Sequence, residues 1–325
     1  MLAITQDRYG DPGVLALREV EVPAPAADEV LVEVRAAGVD RGVWHLMAGL
    51  PYPVRLAGYG VRSPKNPVIG MDVAGVVSAV GSAVTRFRPG DEVYGIGIGI
   101  GTFAEYARAL EKKLAPKPAN LTFEQAAAVP VSALTALQAV RDKAEVKAGD
   151  RVLILGASGG VGSYAVQVAK SFGAEVTGVC STNKADLVDS LGAHQVLDYR
   201  TDDFAQYGPF DVILDINGHA SLGRLRKALT PKGTLVIVGG ETGGRWLGGM
   251  DQLLRAMVLS GFVSQRLRPF ISSENHVDLQ ALTELIETGK VTPAVDRVFP
   301  LAEAADAIQY LIDGHVRGKV VLAVA

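Results

Sequence analysis

Residues 151–180 read RVLILGASGGVGSYAVQVAKSFGAEVTGVC. An apolar run, a glycine-rich turn, a helix-period segment and a second apolar run follow one another. That succession predicts strand, turn, helix, strand, which is one crossover of a parallel sheet. Ala157, Gly159 and Gly162 fall at the three positions of a G-x-G-x-x-G pattern, with alanine in the first. Small residues there let the chain turn tightly, let the backbone approach a pyrophosphate and let the helix pack on the strand. The helix N-terminus adds free N–H groups and a partial positive charge. Ala157, Ser158, Gly159, Gly160, Val161 and Gly162 are therefore the candidate phosphate cradle. The competing reading is a tight turn in an α/β core with no ligand.

The end of the second strand selects the nucleotide. It runs Val179-Cys180-Ser181-Thr182-Asn183-Lys184, with no carboxylate before Asp186. NAD sites usually place Asp or Glu there to hold the ribose 2′-hydroxyl. Hydroxyls and a lysine, Ser181 and Lys184 above all, suit a 2′-phosphate that a carboxylate would repel, so NADPH is expected over NADH. The plain alternative for Lys184 is a solvated residue opening a helix. Tyr199 and Arg200, past the third strand, are placed to stack on adenine or reinforce the phosphate contact. Asn217, Gly239 and Gly240 fall at the C-terminal ends of the next two strands, where cofactors bind in open α/β sheets. Residues 240–249, GETGGRWLGG, are expected to be a flexible loop that closes over the cofactor.

The same grammar extends outward. From Thr122 on, short apolar runs at 195–199, 211–216 and 233–239 alternate with helical segments, which predicts a parallel sheet covered on both faces. Residues 121–140 read as one helix, with Thr122 and Glu124 near its start. The first 115 or so residues are β-rich, with period-two alternation over 14–23 and 29–39. Residues 46–67 lack periodicity and hold Pro51, Pro53, Pro64 and Pro67, a long loop of the kind that often binds ligands.

The chain has 325 residues, 48% apolar and 21% charged, with a net charge of -3 and a mean hydropathy of +0.22. This is a globular profile of about two domains, with no field that would draw it to nucleic acid or anionic lipid. Cys180 is the one cysteine, which excludes an internal disulfide and a thiolate-rich zinc site and fits a reducing compartment. The start MLAITQDRYG lacks an apolar signal region, and no stretch is long and apolar enough to span a bilayer. A cytoplasmic location is expected.

Seven stretches in order, AAGVDRGVWHLMAG (36–49), PVIGMDVAGVV (67–77), GDEVYG (90–95), GTFAEYA (101–107), AAAVPVSALTALQAV (126–140), LGASGGVG (155–162) and GHVRGKVVL (314–322), resemble the medium-chain dehydrogenase/reductase superfamily. Within it the likeness is to the zinc-free quinone oxidoreductases, the zeta-crystallins and the reticulon-interacting oxidoreductases. The resemblance implies an α/β protein in two parts. A GroES-like β-rich catalytic domain would come from residues 1–122 and 273–325, and a Rossmann doubly wound parallel-sheet NADP domain from 123–272. Thr135 would approach the nicotinamide, and a homodimer would form through the sheet edge near 262–271.

Matched to the zinc-dependent members, this sequence has Asp40, Met71, Asp72 and Val131 where Cys, His, Glu and Cys would stand. Two carboxylates, a thioether and a valine make no tetrahedral N/S site, so no catalytic metal is expected. Without a Lewis acid, hydride transfer remains feasible to an acceptor that is already electrophilic, a quinone or an enone. His45 and Asp40 are the catalytic candidates: His45 to give a proton, Asp40 to orient it or bind cofactor. The quinone oxidoreductases commonly carry Tyr and Asn there, and a merely structural His–Asp contact is the alternative. Trp44, Tyr52, Arg55 and Tyr59 are candidates for the acceptor pocket, against simple packing.

The expected function is thus zinc-independent reduction of a quinone or enone by NADPH. The alternatives are an alcohol dehydrogenase or carbonyl reductase of the same superfamily, which the missing zinc ligands oppose, and a crystallin-like or RNA-binding protein that holds NADPH with little turnover. Neutral charge and the lack of a basic-aromatic run oppose RNA binding.

Overall fold

A computed structural model describes residues 1–98, 101–239 and 244–324. The chain opens with β1 (Leu2–Thr5), β2 (Ala16–Glu19), β3 (Glu29–Val39) and α1 (Arg41–Ala48). Then come β4 (Asp72–Val80), β5 (Glu92–Ile96), β6 (Tyr106–Leu110), β7 (Leu114–Pro116), α2 (Phe123–Ala127) and α3 (Pro130–Gln138). The middle runs β8 (Arg151–Leu155), α4 (Gly160–Ser171), β9 (Glu175–Cys180), α5 (Ala185–Ser190), β10 (Gln195–Asp198), β11 (Phe210–Asp215), α6 (Leu222–Lys227) and β12 (Leu229–Ile237). It closes with α7 (Gly244–Leu247), α8 (Met250–Ser260), β13 (Arg266–Pro269), α9 (His276–Glu287), β14 (Val295–Pro300), α10 (Ala304–Ile312) and β15 (Lys319–Ala323). No described helix is long and apolar enough to cross a membrane.

Two compact units result: residues 1–134, 274–289 and 293–325 form the first, and 135–273 with 290–292 the second. The sequence pattern puts the first junction at 122/123. In the structure α2 packs on β3 and β4, which draws residues 123–134 into the first unit.

The first unit holds a seven-stranded sheet in the order β14-β15-β3-β4-β5-β7, with β6 also paired to β3. Only β14 and β15 run parallel; the other pairs are antiparallel. Val32, Val34, Val73, Phe103 and Leu322 are among its core residues. Burying each such side chain contributes roughly 1.5–3 kcal/mol. The β15–β3 register sets Val320 opposite Val39, so Lys319 arrives beside Asp40 although 279 positions separate them in the chain.

The second unit is a six-stranded parallel sheet ordered β10-β9-β8-β11-β12-β13. Counted from β8, this is the 3-2-1-4-5-6 order of a doubly wound nucleotide-binding sheet. The buried Val152–Leu155 of β8 explains why these strands read as unbroken apolar runs: both faces are covered.

Two stretches differ from their sequence reading. Residues 121–140 are not one helix, because Pro130 has no N–H to continue the ladder: α2 ends at Ala127 and α3 starts at Pro130. Thr122 caps α2 and Glu124 lies in its first turn; the cap is a box with Gln125, whose N donates to Thr122 Oγ1 at 3.3 Å while Thr122 N donates to Gln125 Oε1 at 3.1 Å. The strand read at 14–23 is confined to Ala16–Glu19, after a 3-10 turn at Pro12–Val14.

Candidate active site

In the second unit the β8–α4 turn begins at Gly156, whose φ of +82° suits only glycine. Gly156 N and Ala157 N both donate to Val179 O, at 3.1 and 3.0 Å, tying the turn to β9. Gly159 caps α4 in extended conformation, and its N donates to Gly156 O at 3.1 Å. A Cβ on Gly162 would lie 2.1 Å from Gly156 O, so helix and strand are packed too closely for any side chain. The sequence pattern gave the first small position to Ala157, which is fully buried; the residue that makes the turn is Gly156. Ser158 is buried and Gly160 opens α4, followed by Val161.

Asn217 sits against this turn, its Cβ 3.3 Å from the position a Gly156 Cβ would take, and its Oδ1 accepts from His219 N at 3.4 Å. Gly239 packs on Ile216 O, where a Cβ would clash at 2.3 Å. Gly240 lies outside the described residues, as does most of the glycine-rich stretch that opens 240–249. Thr135 Oγ1 donates to Ser272 Oγ at 3.0 Å. Asp215, which closes β11, escaped the sequence reading although a carboxylate ending a buried apolar run was the signal. It accepts from Gly218 N at 3.0 Å and from Gln252 Nε2 at 3.2 Å, and burial pushes its pKa up to about 6.

At the end of β9, Ser181 Oγ donates to Asn183 Oδ1 at 2.6 Å, and Lys184 closes the following 3-10 turn. Tyr199 is exposed, its N donating to Cys180 O at 3.2 Å, with the Arg200 guanidinium 5.4 Å from its ring centre. The structure adds a carboxylate the linear reading missed: Asp198 pairs in register with Cys180. It accepts from the Thr182 hydroxyl and from Thr182 N and Arg200 N at 3.1 and 2.8 Å. Those bonds, the Thr182 hydroxyl first, hold Asp198 below the usual carboxylate range. Cys180 is buried, and desolvation pushes its thiol up to about 11, so it behaves as a small apolar residue.

In the first unit a buried cluster gathers Asp40, Asp72, Ser132 and Lys319. Lys319 Nζ donates to Asp40 Oδ1, to Asp72 Oδ2 at 3.2 Å and to Ser132 Oγ at 3.3 Å. Ser132 Oγ donates to Asp40 Oδ1 at 2.9 Å, and Val131 N to Asp72 Oδ1 at 2.9 Å. Burial, then the Asp40 charge, pushes Asp72 well above the usual carboxylate range. Burial also opposes ionisation of Asp40, but Lys319 and the hydrogen bonds from Asp72, Lys319 and Ser132 outweigh it and hold Asp40 low. Burial opposes the charge on Lys319 as well, yet the two carboxylates keep its pKa raised. The cluster thus sets the Lys319 ammonium between two unequal carboxylates, Asp40 held low and Asp72 pushed up.

These residues do not fit a zinc ion. Of the four positions matched to zinc ligands, the two carboxylates are taken by Lys319, Val131 serves through its backbone, and Met71 offers a thioether. Among the described residues no group of three or more His, Cys, Asp or Glu is arranged to hold a metal.

His45 lies on α1, five residues beyond Asp40. Its Nδ1 holds Leu50 O at 3.0 Å, and the Trp44 ring lies 4.5 Å away, tilted. With Nδ1–H on a carbonyl, a proton to be given away must sit on Nε2. Trp44 packs on the unit's core. The Arg55 guanidinium lies 4.4 Å from the Tyr9 ring centre and 4.9 Å from that of Tyr52, and its Nε donates to Gly49 O at 2.9 Å. Tyr9 Oη donates to Gly60 O at 2.6 Å, so the 46–67 loop is pinned to the N-terminal segment.

That loop walls a cavity of about 370 Å³ whose lining, among the described residues, comes from the first unit. Of the four acceptor candidates Tyr59 lines it, while Trp44, Tyr52 and Arg55 are not among its lining residues. Val43, Ile69, Met71 and Ile96 form apolar walls, and Lys113 and Glu274, paired at 2.5 Å, stand at one side. Gln6, absent from the sequence reading, is there too.

A doubly wound sheet with a glycine cradle at its first crossover, joined to a β-rich unit made from both chain ends, defines a nucleotide-dependent dehydrogenase or reductase. Comparison with known proteins narrows the class. The models "Alcohol dehydrogenase GroES-like domain" and "Zinc-binding dehydrogenase" match residues 26–119 and 191–322. A 2-methylene-furan-3-one reductase of Solanum lycopersicum is 35% identical over 99% of this chain and 79% of its own. A quinone oxidoreductase of Sus scrofa is 33% identical over 98% and 95%. The Escherichia coli quinone oxidoreductase, solved in complex with NADPH, superposes with a TM-score of 0.85 at 28% identity over 99% and 100%. The chain belongs to the medium-chain dehydrogenase/reductase superfamily, among the quinone oxidoreductases.

Proposed function

We propose that this protein reduces quinones or activated alkenes with NADPH and without a metal. The observation that carries the reading is Lys319. Its ammonium occupies both carboxylates at the positions matched to zinc ligands, so no Lewis acid polarises an alcohol or simple carbonyl, and the acceptor must be electrophilic already. The names of the full-length relatives, a quinone oxidoreductase and an enone reductase, support this acceptor class.

The turn from Gly156 to Gly162 would hold the pyrophosphate against the α4 N-terminus. Ser181 and Lys184 would take the 2′-phosphate and Tyr199 the adenine, with Thr135, Asn217 and Gly239 toward the nicotinamide. Bound NADPH supplies the hydride. His45, which is not among the lining residues of the cavity walled by the 46–67 loop, would give an Nε2 proton to the acceptor oxygen that gains electrons, so that hydride and proton together make a two-electron, two-proton reduction while Nδ1 stays on Leu50 O. Asp40 acts by position: with Lys319 and Ser132 it fixes the start of the helix that carries His45.

A homodimer through β13 fits the same picture. β13, Arg266-Leu267-Arg268-Pro269, ends the six-stranded order, and the apolar residues on either side of it, Phe262 at 83% and Ile271 at 89% exposure, are ones that pairing would cover. A lone buried cysteine fits a cytoplasmic location. The test is a panel of a benzoquinone, a naphthoquinone, an enone and a simple aldehyde, followed by loss of reduced-nicotinamide absorbance with NADPH and with NADH. Turnover of quinones or the enone, faster with NADPH, is expected; turnover of the aldehyde alone overturns the reading.

A further inference from the structure

We propose that Asp198 is a positioning residue for the adenosine end of the cofactor: its carboxylate clasps together the two turns that carry the 2′-phosphate and adenine contacts, and so supports the preference for NADPH without touching it. This deepens the proposed function and rests on its assignment of Ser181, Lys184 and Tyr199. The sheet builds the clasp. β10 runs parallel to β9 with Asp198 in register with Cys180, so both strands release the chain at the same level. One turn then carries Ser181 to Lys184, and the other carries Tyr199 and Arg200.

The carboxylate joins the two turns oxygen by oxygen. Asp198 Oδ2 accepts from Thr182 N at 3.1 Å and from the Thr182 hydroxyl, while Oδ1 accepts from Arg200 N at 2.8 Å. The backbone of Asp198 closes its own turn: its N donates to Asp202 Oδ2 at 2.7 Å, and Asp202 N donates to its O at 2.8 Å. In the facing turn Lys184 N donates to Ser181 O at 2.9 Å, so holding Thr182 holds the residues on both sides of it. An ionised carboxylate has no hydrogen to offer a phosphate, and by charge alone it would repel one. The Thr182 hydroxyl has spent its one hydrogen on Asp198 and has none left for a phosphate either. What this pair contributes is therefore the placement of Lys184 and Tyr199, which come from different strand ends.

The test measures Kd for NADPH and for NADH by calorimetry, without an acceptor, in the wild type, Asp198→Asn, Asp198→Ala, Thr182→Val and Lys184→Ala. Asp198→Ala should weaken NADPH about tenfold, the scale of one hydrogen bond to a charged group, and NADH far less. Asp198→Asn keeps one acceptor and should fall between Asp198→Ala and the wild type. Thr182→Val leaves the carboxylate charge in place, removes one arm of the clasp and should weaken NADPH in the same selective way. A carboxylate acting through charge alone would give the opposite sign, with tighter NADPH binding in Asp198→Asn. Tighter or unchanged NADPH binding in the Asp198 variants, or an equal loss for both cofactors, overturns the clasp while a selective loss in Lys184→Ala leaves the phosphate site standing. If Asp198→Ala does not fold, Thr182→Val decides alone by the same criterion. An equal loss for both cofactors in Lys184→Ala overturns the phosphate site and the clasp together.

Discussion

Lys319 Nζ lies 3.2 Å from Asp72 Oδ2 and also hydrogen-bonds Asp40, so one buried ammonium joins two carboxylates that the chain keeps far from it in sequence. Removing that ammonium leaves Asp40 charged with no counter-ion. Lys319→Met should therefore cost about 3–5 kcal/mol, measured by denaturant unfolding, and Asp40→Asn added to it should recover much of the loss.

The two carboxylates should respond differently to neutralisation. Burial and the Asp40 charge push Asp72 well above the usual carboxylate range, so Asp72→Asn should disturb the charge balance of the cluster least. Asp40 is held ionised, and Asp40→Asn removes the partner of Lys319. Asp40→Asn should destabilise the protein clearly more than Asp72→Asn; the reverse order in urea melts would show that the proton sits on Asp40.

Asp215 makes stability depend on pH. Its folded pKa of about 6 lies above its unfolded value, so the folded state binds the extra proton. The contribution is complete below about pH 4 and is lost as pH rises through 6, by about 3 kcal/mol in all. In Asp215→Asn this loss should vanish, so the gap in melting temperature between pH 5 and pH 8 should shrink relative to the wild type.

The cradle prediction rests on distance. With Gly156 O only 2.1 Å from where a Gly162 Cβ would be, Gly162→Ala must push α4 off the turn. NADPH at a hundredfold excess over its Kd stabilises a protein by about 2.7 kcal/mol. The corresponding thermal shift should be present in the wild type and absent in Gly162→Ala.

Lys184 should act on NADPH alone. Lys184→Ala should lower kcat/KM for NADPH by about tenfold and move NADH far less, since only NADPH carries the 2′-phosphate. An equal loss for both cofactors would assign Lys184 to the turn at 182–184 rather than to the phosphate.

Much of this was legible in the chain. Strands of a parallel sheet are buried on both faces, so β8, β9, β11 and β12 announce themselves as apolar runs. The glycine cradle lies within seven residues and needs only local reading. What stayed hidden depends on distant strands meeting. The Lys319–Asp40 pair needs the β15–β3 register, Asp198 reaches the nucleotide end only through β10 pairing with β9, and Gln6 joins the cavity wall through the loop bonded to it. That Gly156, one residue before Ala157, makes the turn shows only in the structure, because a positive φ is a property of the backbone that the spacing pattern does not report.

The most direct test of the account is turnover of a naphthoquinone by NADPH in protein dialysed against EDTA, with zinc content measured on the same sample. The account predicts full activity with no zinc bound and no gain on adding zinc. Activity that disappears with the metal, returns with zinc and extends to a simple alcohol would mean that Asp40 and Asp72 release Lys319 to hold the ion, and the account would be wrong.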